Sequence, residues 1–403
     1  MKPIRVAYVL ASYPAPSEAF IRREIEAVRR RGVTVDAYSL RKPAGPEPGV
    51  CYRGDIPMRE ALAAVMWAIG RPVRLASAVA RIAAEEMAQP VALAKSLRNV
   101  VTAAAFGRRI RRSGASAIHA HFASEPAAVA RTISLLTGLP YTFSIHAGDI
   151  FLLEKPRLVD RIRSARAVSA CTSAGLERAK ELIPAPLHGR VHRIPHGIDV
   201  ASVKRPTAEH REPVVLMVGR LVEKKGTPVL LKALALLRDA GRPVPCTIMG
   251  DGPERPAVER LIGELAIGEL VRLPGWTPPD TVREWMARAS VLAVPSVIAR
   301  DGDRDGLPNV ILEAAAAGLP AVASDVGGIR DFIPADGTCG LLVPPNHPQA
   351  LADAIARLFD DGELRQKLIE QAQAKLRREY DVDANAARLI DAMGWPQRPG
   401  THA

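Results

Sequence analysis

The sequence predicts an α/β protein with two domains in tandem, each built around a parallel β-sheet. Three observations predict it: strand patterns alternate with amphipathic helix patterns, the alternation occurs twice, and a polar segment separates the two series. With 403 residues, 48% of them apolar, the chain is long enough for two separate cores. Two such domains imply a deep cleft between them, which is a usual place for a binding site.

The first series opens with a βαβ unit. Residues 4–10 are an apolar run that predicts a buried strand rather than a signal peptide, residues 17–32 predict an amphipathic helix, and residues 33–40 predict a second strand. Residues 58–112 indicate two or three helices rich in Ala and Arg, whereas AIHAHF and YTFSIHA indicate further strands. We therefore expect an N-terminal domain over residues 1–200.

A second βα series follows the polar segment 201–213, which we interpret as the linker. Its predicted strands end at Gly, Ser or Asp, where α/β sheets place ligand-binding loops. The second domain is expected over residues 214–379, and a last helix at 380–396 is predicted to cross back onto the first domain. The predicted helices of this series are 227–240, 254–266, 280–289 and 309–317.

The charge of the chain is unevenly distributed. Residues 1–200 hold 30 Lys and Arg against 16 Asp and Glu, whereas residues 201–403 hold 25 against 27. A basic half suits an anionic partner, but it contains no nucleic-acid-binding module, so nucleic acid is not expected. An anionic membrane surface, a lipid-linked acceptor and a plain composition bias stay open. The four cysteines form no CxxC pair, which indicates reduced thiols and a cytoplasmic location, with a peripheral position at the inner membrane face as an option.

The segment 301–313, DGDRDGLPNVILE, allows three interpretations. A calcium loop of the EF-hand type fits the alternating aspartates and Gly306, but Leu312 stands at the twelfth position and the carboxylate arrives one residue late, at Glu313. A DxD metal site belongs to proteins with one nucleotide-binding domain, whereas two domains are predicted here. The third interpretation is a nucleotide-sugar clamp that needs no metal ion.

The third interpretation follows from a helix predicted to start at Pro308. Asp305 then precedes the helix and Glu313 lies inside it, which puts the two carboxylates roughly 8–10 Å apart at the rise of an α-helix. The backbone amides of Gly306 and Leu307, together with the helix dipole, suit sugar hydroxyls and phosphate. The alternative is a helix-capping acid followed by a solvated glutamate.

Two glycine-containing turns follow the first strands of the second series. VGRLVEKKG places Arg220 and Lys225 in one turn, where two cations could neutralise a diphosphate. A basic loop on the protein surface would show the same sequence pattern, so this alternative stays open. MGDGP follows the next strand and is not GxGxxG, which disfavours a nicotinamide dehydrogenase.

The segment DGLPNVILEAAAAGLPAVASDVGG resembles the E-x7-E segment of the retaining glycosyltransferases of family 4, which have the GT-B fold. This chain departs from the family pattern in that Asp305 replaces the first glutamate. The resemblance implies that GRLxxxKG, with Gly219, Arg220 and Lys225, contacts a donor diphosphate. It also implies that the GxGP turn containing Gly252 lies beside the nucleotide.

In the first domain, His146 resembles the family histidine that reaches the donor sugar. His119 and His121 alternate as strand residues do, and no further metal ligands are evident for them. Where many family members carry Gly-Gly near the donor phosphates, this chain has Ser17 and Glu18. That pattern resembles an exopolysaccharide subgroup with colanic-acid-type transferases, in which Glu18 would orient the acceptor and Ser17 would lie near the donor or cap the helix.

The resemblance therefore implies a metal-independent, retaining hexosyl transfer from a nucleoside diphosphate sugar to a glycan or lipid-linked glycan, with no cofactor. The residues expected to carry the reaction are His146, Asp305, Arg220 and Lys225. The residues expected to bind the donor are Ser17, Gly219, Gly252, Gly306, Leu307 and Glu313. Two rival functions stay open, namely a nucleotide-sugar epimerase of related fold and a non-catalytic polysaccharide- or membrane-binding module.

Overall fold

A computed structural model describes residues 4–15, 18–86, 90–200 and 211–395 of the chain. The chain divides into two compact units. The first unit comprises Met1–Pro195 together with Val382–Ala403, and the second comprises His196–Asp381.

The first unit contains a parallel sheet with the strand order β3-β2-β1-β4-β5-β6-β7. Its strands are β1 (Arg5–Ser12), β2 (Thr34–Arg41), β3 (Cys51–Tyr52), β4 (Ala117–His121), β5 (Tyr141–Ile145), β6 (Ala167–Ala170) and β7 (Val191–Arg193). Its helices are α1 (Ala19–Arg30), α2 (Met58–Ile69), α3 (Pro72–Glu86), α4 (Pro90–Ser113), α5 (Glu125–Thr137), α6 (Ala147–Phe151), α7 (Lys155–Ser164), α8 (Ser173–Leu182) and α15 (Val382–Ala392).

The central strands of this sheet are covered on both faces. Every residue of β4 and β5 is buried, as is the run from Val6 to Leu10 in β1. Strands buried on both faces read as continuous apolar runs, so the sequence pattern identified β1, β4 and β5. The two-residue strand β3 was not predicted because it is too short to show a pattern.

The last helix belongs to the first unit. α15 packs against α1, and the Arg30 guanidinium forms two hydrogen bonds with the Asp383 carboxylate, at 3.0 and 3.2 Å. The buried side chains of α15, among them Leu389 and Ile390, join the core of β1 and α1. The predicted return of the C-terminal helix thus corresponds to an apolar face shared by two helices that are distant in sequence.

Residues 58–112 form three helices, α2, α3 and α4, of which α4 extends to Ser113. The small side chains of Ala64 and Ala68 on α2 and Ala103 on α4 are buried in the core of the unit. Alanine allows these helices to approach one another closely, which explains the composition of the segment.

The second unit contains a parallel sheet with the order β10-β9-β8-β11-β12-β13. Its strands are β8 (Glu212–Val218), β9 (Cys246–Met249), β10 (Val271–Gly275), β11 (Ala289–Val294), β12 (Ala321–Ser324) and β13 (Leu341–Val343). Its helices are α9 (Thr227–Asp239), α10 (Arg255–Glu264), α11 (Pro279–Arg288), α12 (Asn309–Ala316), α13 (Pro348–Asp360) and α14 (Gly362–Glu379).

The boundaries differ slightly from the predicted ones. β8 begins at Glu212, inside the segment predicted as linker, because Glu212 pairs with Ala289 of β11. Residues 201–210 of that segment lie outside the described residues. α12 begins at Asn309, so Pro308 occupies the N-cap position and not the first turn. The four cysteines are free, as predicted.

Candidate functional site

The candidate site lies in the second unit, where the strand order reverses. β8 and β11 are neighbours, with β9 and β10 on one side and β12 and β13 on the other. Because the loops after β8 and β11 leave neighbouring strands in opposite directions, they open a crevice at the carboxyl edge of the sheet. These two loops contain the residues 219–226 and 295–305.

The two loops are in direct contact at Gly226. Its backbone has φ +62°, and a Cβ atom at this position would lie 1.9 Å from the carbonyl oxygen of Pro295. A side chain is therefore excluded on steric grounds as well as by the backbone conformation. The contact is reinforced by the backbone amide of Val297, which donates to the carbonyl of Lys224 at 2.9 Å. This packing fixes the position of Lys224 and Lys225 against the segment that contains Asp305.

Asp305 is a buried carboxylate with two close donors. Lys225 Nζ donates to Asp305 Oδ2 at 2.8 Å, and the Ser296 hydroxyl donates to the same oxygen at 2.7 Å. Asp305 is only 7% exposed, so its charge is stabilised mainly by these neighbours. The structure thus joins Lys225 and Asp305, which the sequence assigned to different parts of a donor molecule.

A second ion pair extends the cluster. Lys224 Nζ lies 2.9 Å from Asp303 Oδ2 and 4.0 Å from Asp305 Oδ1. Within the described residues, the other oxygen of Asp303 is buried without a hydrogen-bond partner. Arg220, on the same loop as the lysines, is exposed and forms no ion pair with a described residue. Its charge is therefore available to an anion, whereas the charges of the two lysines are offset by those of the two aspartates.

The GDGP turn after β9 packs on the loop after β8. A Cβ atom at Gly252 would lie 2.3 Å from the carbonyl oxygen of Leu221, and the amide of Leu221 donates to the carbonyl of Asp251 at 2.9 Å. Gly219 packs beside the side chain of Lys225, since a Cβ there would lie 3.5 Å from Lys225 Cε. Gly252 thus allows the close packing of the two turns, whereas a Cβ at Gly219 would make only an ordinary van der Waals contact with Lys225.

The remaining predicted donor residues follow Asp305 in the chain. The carbonyl of Gly306 accepts from the amide of Gly328, which follows β12, at 2.9 Å. Leu307 is half-buried and packs on the core of this unit, and Glu313 is half-buried on α12. Gly306 is therefore hydrogen-bonded to the loop after β12, at the same edge of the sheet. Glu313 lies seven residues further on, within α12.

His146 lies in the first unit, between β5 and α6. It is the N-cap residue of α6, and its backbone amide donates to Asp149 Oδ2 at 2.9 Å. Its ring is buried and lies beside the rings of Phe122 and Phe20, with centroids 4.4 and 5.2 Å away. Burial raises the pKa of the Asp149 carboxyl to about 6, against the backbone hydrogen bonds that lower it.

Glu24 takes part in a hydrogen-bonded chain that sequence reasoning missed. His121 Nδ1 lies 3.4 Å from His146 Nε2, and His121 Nε2 lies 3.0 Å from Glu24 Oε1. The Tyr8 hydroxyl donates to the same glutamate oxygen at 3.1 Å. The pKa of Tyr8 is raised, mainly by burial and to a smaller extent by the neighbouring charge of Glu24. Glu24 stands four residues after Phe20 on α1, and this spacing on one helix face was the available signal.

The ligand atoms of Glu24, His119 and His121 lie within 4.8 Å of one another, close enough to be considered for a metal ion. However, His119 Nδ1 lies 2.9 Å from the Thr142 hydroxyl and His119 Nε2 lies 3.1 Å from the Ser144 hydroxyl. The pKa of His119 lies well below its usual value, mainly because of burial and to a smaller extent because of the neighbouring His121. Hydrogen bonds to hydroxyl groups thus account for both ring nitrogens of a neutral His119, and metal independence stays a prediction.

The two residues predicted near the first turn have different outcomes. Ser17 lies outside the described residues. Glu18 is the N-cap residue of α1, and its side chain makes no capping hydrogen bond. Its backbone amide donates to the carbonyl of Ala15 at 2.9 Å, which holds the turn before the helix.

Comparison with known families matches both halves of the chain. Residues 17–202 match the family described as Glycosyltransferase Family 4, and residues 201–375 match Glycosyl transferases group 1. The chain belongs to glycosyltransferase family 4. The family predicted from the sequence is thereby confirmed, and the protein is a glycosyltransferase.

Individual relatives agree with this assignment. The chain is 31% identical over 310 residues to the alpha-D-kanosaminyltransferase of Streptomyces kanamyceticus, covering 70% of this chain and 78% of the relative. It is 26% identical over 410 residues to the putative colanic acid biosynthesis glycosyltransferase WcaL of Salmonella typhimurium, covering 97% and 99%.

Solved structures support the fold. Anabaena Alr3699/HepE in complex with UDP matches with a TM-score of 0.72 at 19% identity, covering 97% of this chain and 100% of that one. The sucrose-phosphate synthase of Thermosynechococcus elongatus matches with a TM-score of 0.72 at 20% identity, covering 96% and 98%. Together with the two parallel sheets, these matches confirm the predicted α/β class and the GT-B fold.

Proposed function

We propose that this glycosyltransferase moves a hexose from a nucleoside diphosphate sugar to a hydroxyl group of a glycan or lipid-linked glycan. The transfer would retain the anomeric configuration, need no metal ion, and serve the synthesis of exopolysaccharide or another cell-surface polysaccharide. The relatives named for colanic acid and amylovoran biosynthesis support the polysaccharide product. The relatives solved with UDP and with UDP-glucose support the class of donor.

The observation that carries the proposal is the loop after β8, which presents Arg220 and Lys225 beside Asp305. Arg220 is exposed, and its planar guanidinium can hold two phosphate oxygens at once. Lys225 gives one hydrogen bond to Asp305 and has two further N–H donors for the diphosphate. As the diphosphate leaves, its negative charge grows, so both cations stabilise the transition state more than the bound donor.

Asp305 is assigned to the donor sugar. A carboxylate only accepts hydrogen bonds. Lys225 and Ser296 both donate to Asp305 Oδ2, so Oδ1 is the oxygen that would accept from a sugar hydroxyl. His146 of the first unit is assigned to the same sugar by its resemblance to the family histidine. Glu313 would accept from the ribose hydroxyls, and the amides of Gly306 and Leu307 would donate to the phosphate.

The reaction balances without a cofactor. The bond between the anomeric carbon and the diphosphate oxygen breaks, and the acceptor oxygen forms its bond to that carbon on the same face. The acceptor proton passes to the departing phosphate oxygen, which becomes more basic as the bond breaks. The cations of the β8 loop supply the positive charge that a metal ion supplies in other transferases.

The place of action follows from the acceptor. A lipid-linked glycan lies at the inner face of the cytoplasmic membrane, and the excess of basic residues in positions 1–200 suits its anionic surface. We therefore assign the enzyme to the cytoplasm, with a peripheral position at this membrane.

A thermal-shift panel of nucleotide sugars in the presence of EDTA tests the proposal. A rise in melting temperature for one donor without metal supports it, whereas a rise only after a divalent cation is added removes the metal-independent mechanism. Product analysis with and without acceptor completes the test. Formation of an epimerised nucleotide sugar in the absence of acceptor would identify an epimerase instead.

A further inference from the structure

An apolar row covers the outer side of α2 in the first unit. Met58, Leu62, Met66 and Ile69 follow one another at spacings of three and four residues, and Val73 at the start of α3 continues the row. These five side chains are between 51% and 82% exposed. Single exposed apolar residues are common, but a contiguous row at helical spacing is typical of a surface that binds another protein or a membrane. We call these five residues the α2 apolar face.

The opposite side of α2 is anchored in the protein. Ala64 and Ala68 are buried in the core of the unit, and Trp67 packs against the same core. α2 also packs against α4, and the Arg109 guanidinium of α4 forms two hydrogen bonds with the Glu60 carboxylate, both at 2.6 Å. The α2 apolar face is therefore held in a fixed outward position.

The charges around the α2 apolar face are predominantly basic. Between positions 56 and 82 the chain has four arginines and one acid, Glu60, whose carboxylate is bound by Arg109. Arg59 is exposed beside the apolar row. The Arg74 guanidinium donates to the carbonyl of Leu136 at 3.3 Å, and the Arg71 guanidinium lies over the Trp67 ring with its carbon 4.2 Å from the centroid. Apolar side chains flanked by arginines are the combination by which an interfacial helix binds anionic lipid.

α2 and α3 have the length and composition of a membrane span only when taken together. Within the described residues, no single helix is long and apolar enough to cross a bilayer, and the pair Met58–Ile69 and Pro72–Ile82 bends by 101°. Because Ala64 and Ala68 hold α2 against the core, its outer face alone is available to lipid.

We propose that the α2 apolar face docks the enzyme on an anionic lipid surface, with its apolar side chains inserted at the headgroup boundary and Arg59 on a lipid phosphate. The inference rests on the proposed function in one respect: docking would bring the enzyme to a lipid-linked acceptor. The docking itself depends on the surface alone.

Sedimentation with vesicles tests the proposal on the full chain. Vesicles of phosphatidylcholine with about a third phosphatidylglycerol should bind the native protein, and vesicles of phosphatidylcholine alone should bind it less. Met66→Glu places a charge in the apolar row and should weaken binding to the anionic vesicles by about tenfold. The matched control is Leu236→Glu, since Leu236 is an exposed leucine on α9 of the second unit; this variant should bind as the native protein does.

A further variant tests the cation. Arg59→Ser should weaken binding to anionic vesicles and reduce its dependence on salt, because one charge fewer then contacts the lipid. Equal binding by the native protein and Met66→Glu would overturn the proposal, and so would the absence of binding by the native protein.

The remaining outcomes separate docking from other roles of this surface. Light scattering that shows a native dimer dissociated by Met66→Glu, without vesicle binding, would assign the face to a second copy of the chain and overturn the proposal. Calorimetry with UDP and the melting temperature should be unchanged in Met66→Glu. Because vesicle binding is measured without donor or acceptor, a failed donor experiment and a failed docking experiment are distinguishable.

Discussion

Lys225 Nζ lies 2.8 Å from Asp305 Oδ2, although the two residues are 80 positions apart in the chain. The pair lies at the carboxyl edge of the second sheet, where β8 and β11 are neighbours. Ser296 donates to the same oxygen at 2.7 Å and fixes the orientation of the carboxylate. An acid assigned to the sugar and a cation assigned to the diphosphate are thus held together by the fold, which is the arrangement that preorganised catalysis requires.

Asp305→Asn and Lys225→Ala should each lower kcat by about tenfold or more, because each removes one charge of this pair. Their combined effect should be smaller than the product of the single effects, since residues in one ion pair are not energetically independent. Steady-state kinetics of the two variants and the double variant test this, with circular dichroism to verify the fold. Near-normal kcat in both single variants would remove the site assignment.

Gly226→Ala should destabilise the second unit by about 3 kcal/mol or more, because its Cβ would overlap the Pro295 carbonyl in addition to the strained backbone. The matched control is Gly241→Ala. Gly241 has a similar φ of +73° but nothing within 4 Å of the new Cβ, so only the conformational cost of about 1 kcal/mol applies. Urea unfolding compares the two variants, and equal losses would contradict the described packing of the loop.

Asp149 should make the protein less stable as the pH rises from about 4 to about 6. Burial raises its pKa to about 6 in the folded chain, against about 3.9 in an unfolded chain, so the folded state binds more protons in this window. The difference corresponds to about 3 kcal/mol, present below pH 4 and lost above pH 6. The free energy of unfolding of the native protein, measured relative to Asp149→Asn across this range, should fall by this amount. A constant difference between the two proteins would contradict a raised pKa for Asp149.

The buried histidine chain specifies a tautomer for each ring. Glu24 as a carboxylate only accepts, so neutral His121 must carry its proton on Nε2 and accept with Nδ1. His146 must then carry a proton on Nε2 to donate to His121 Nδ1, at 3.4 Å. Nitrogen NMR at about pH 8, where an ordinary histidine is neutral, should show Nε2–H for both rings.

Glu24→Leu is the variant that tests the histidine chain, because it replaces the accepting carboxylate by an apolar side chain of similar size. The tautomer preference of His121 should then be lost, and kcat should fall while the KM for the donor changes little. A native His146 with its proton on Nδ1 would contradict the described hydrogen bonds.

Much of the fold could be predicted because the central strands are buried on both faces and the helices on one face. The run from Val6 to Leu10 shows this for the first unit, and α9, predicted at 227–240, ends at Asp239. The strand β3 could not be predicted, since pairing of Cys51 and Tyr52 with β2 depends on a neighbouring strand and not on a local pattern.

The candidate site could be predicted only in part, because its contacts join distant segments of the chain. The sequence identified Arg220, Lys225 and Asp305 as chemical groups, but the Lys225 pair with Asp305 depends on the strand order. Likewise, the sequence predicts Gly252 beside a nucleotide but does not show its close packing against Leu221, which the structure adds. Glu24 was missed because its partner His121 is 97 positions away.

The central claim is that cations of the β8 loop hold the donor diphosphate without a metal ion. The most direct test is calorimetric titration of UDP, GDP and ADP in EDTA, first with the native protein and then with Arg220→Ser. The matched control is Arg260→Ser, an exposed arginine on α10. The account predicts that one nucleotide binds the native protein and the control equally, and binds Arg220→Ser about tenfold more weakly. Equal affinity in all three proteins, or native binding that requires a divalent cation, would contradict it.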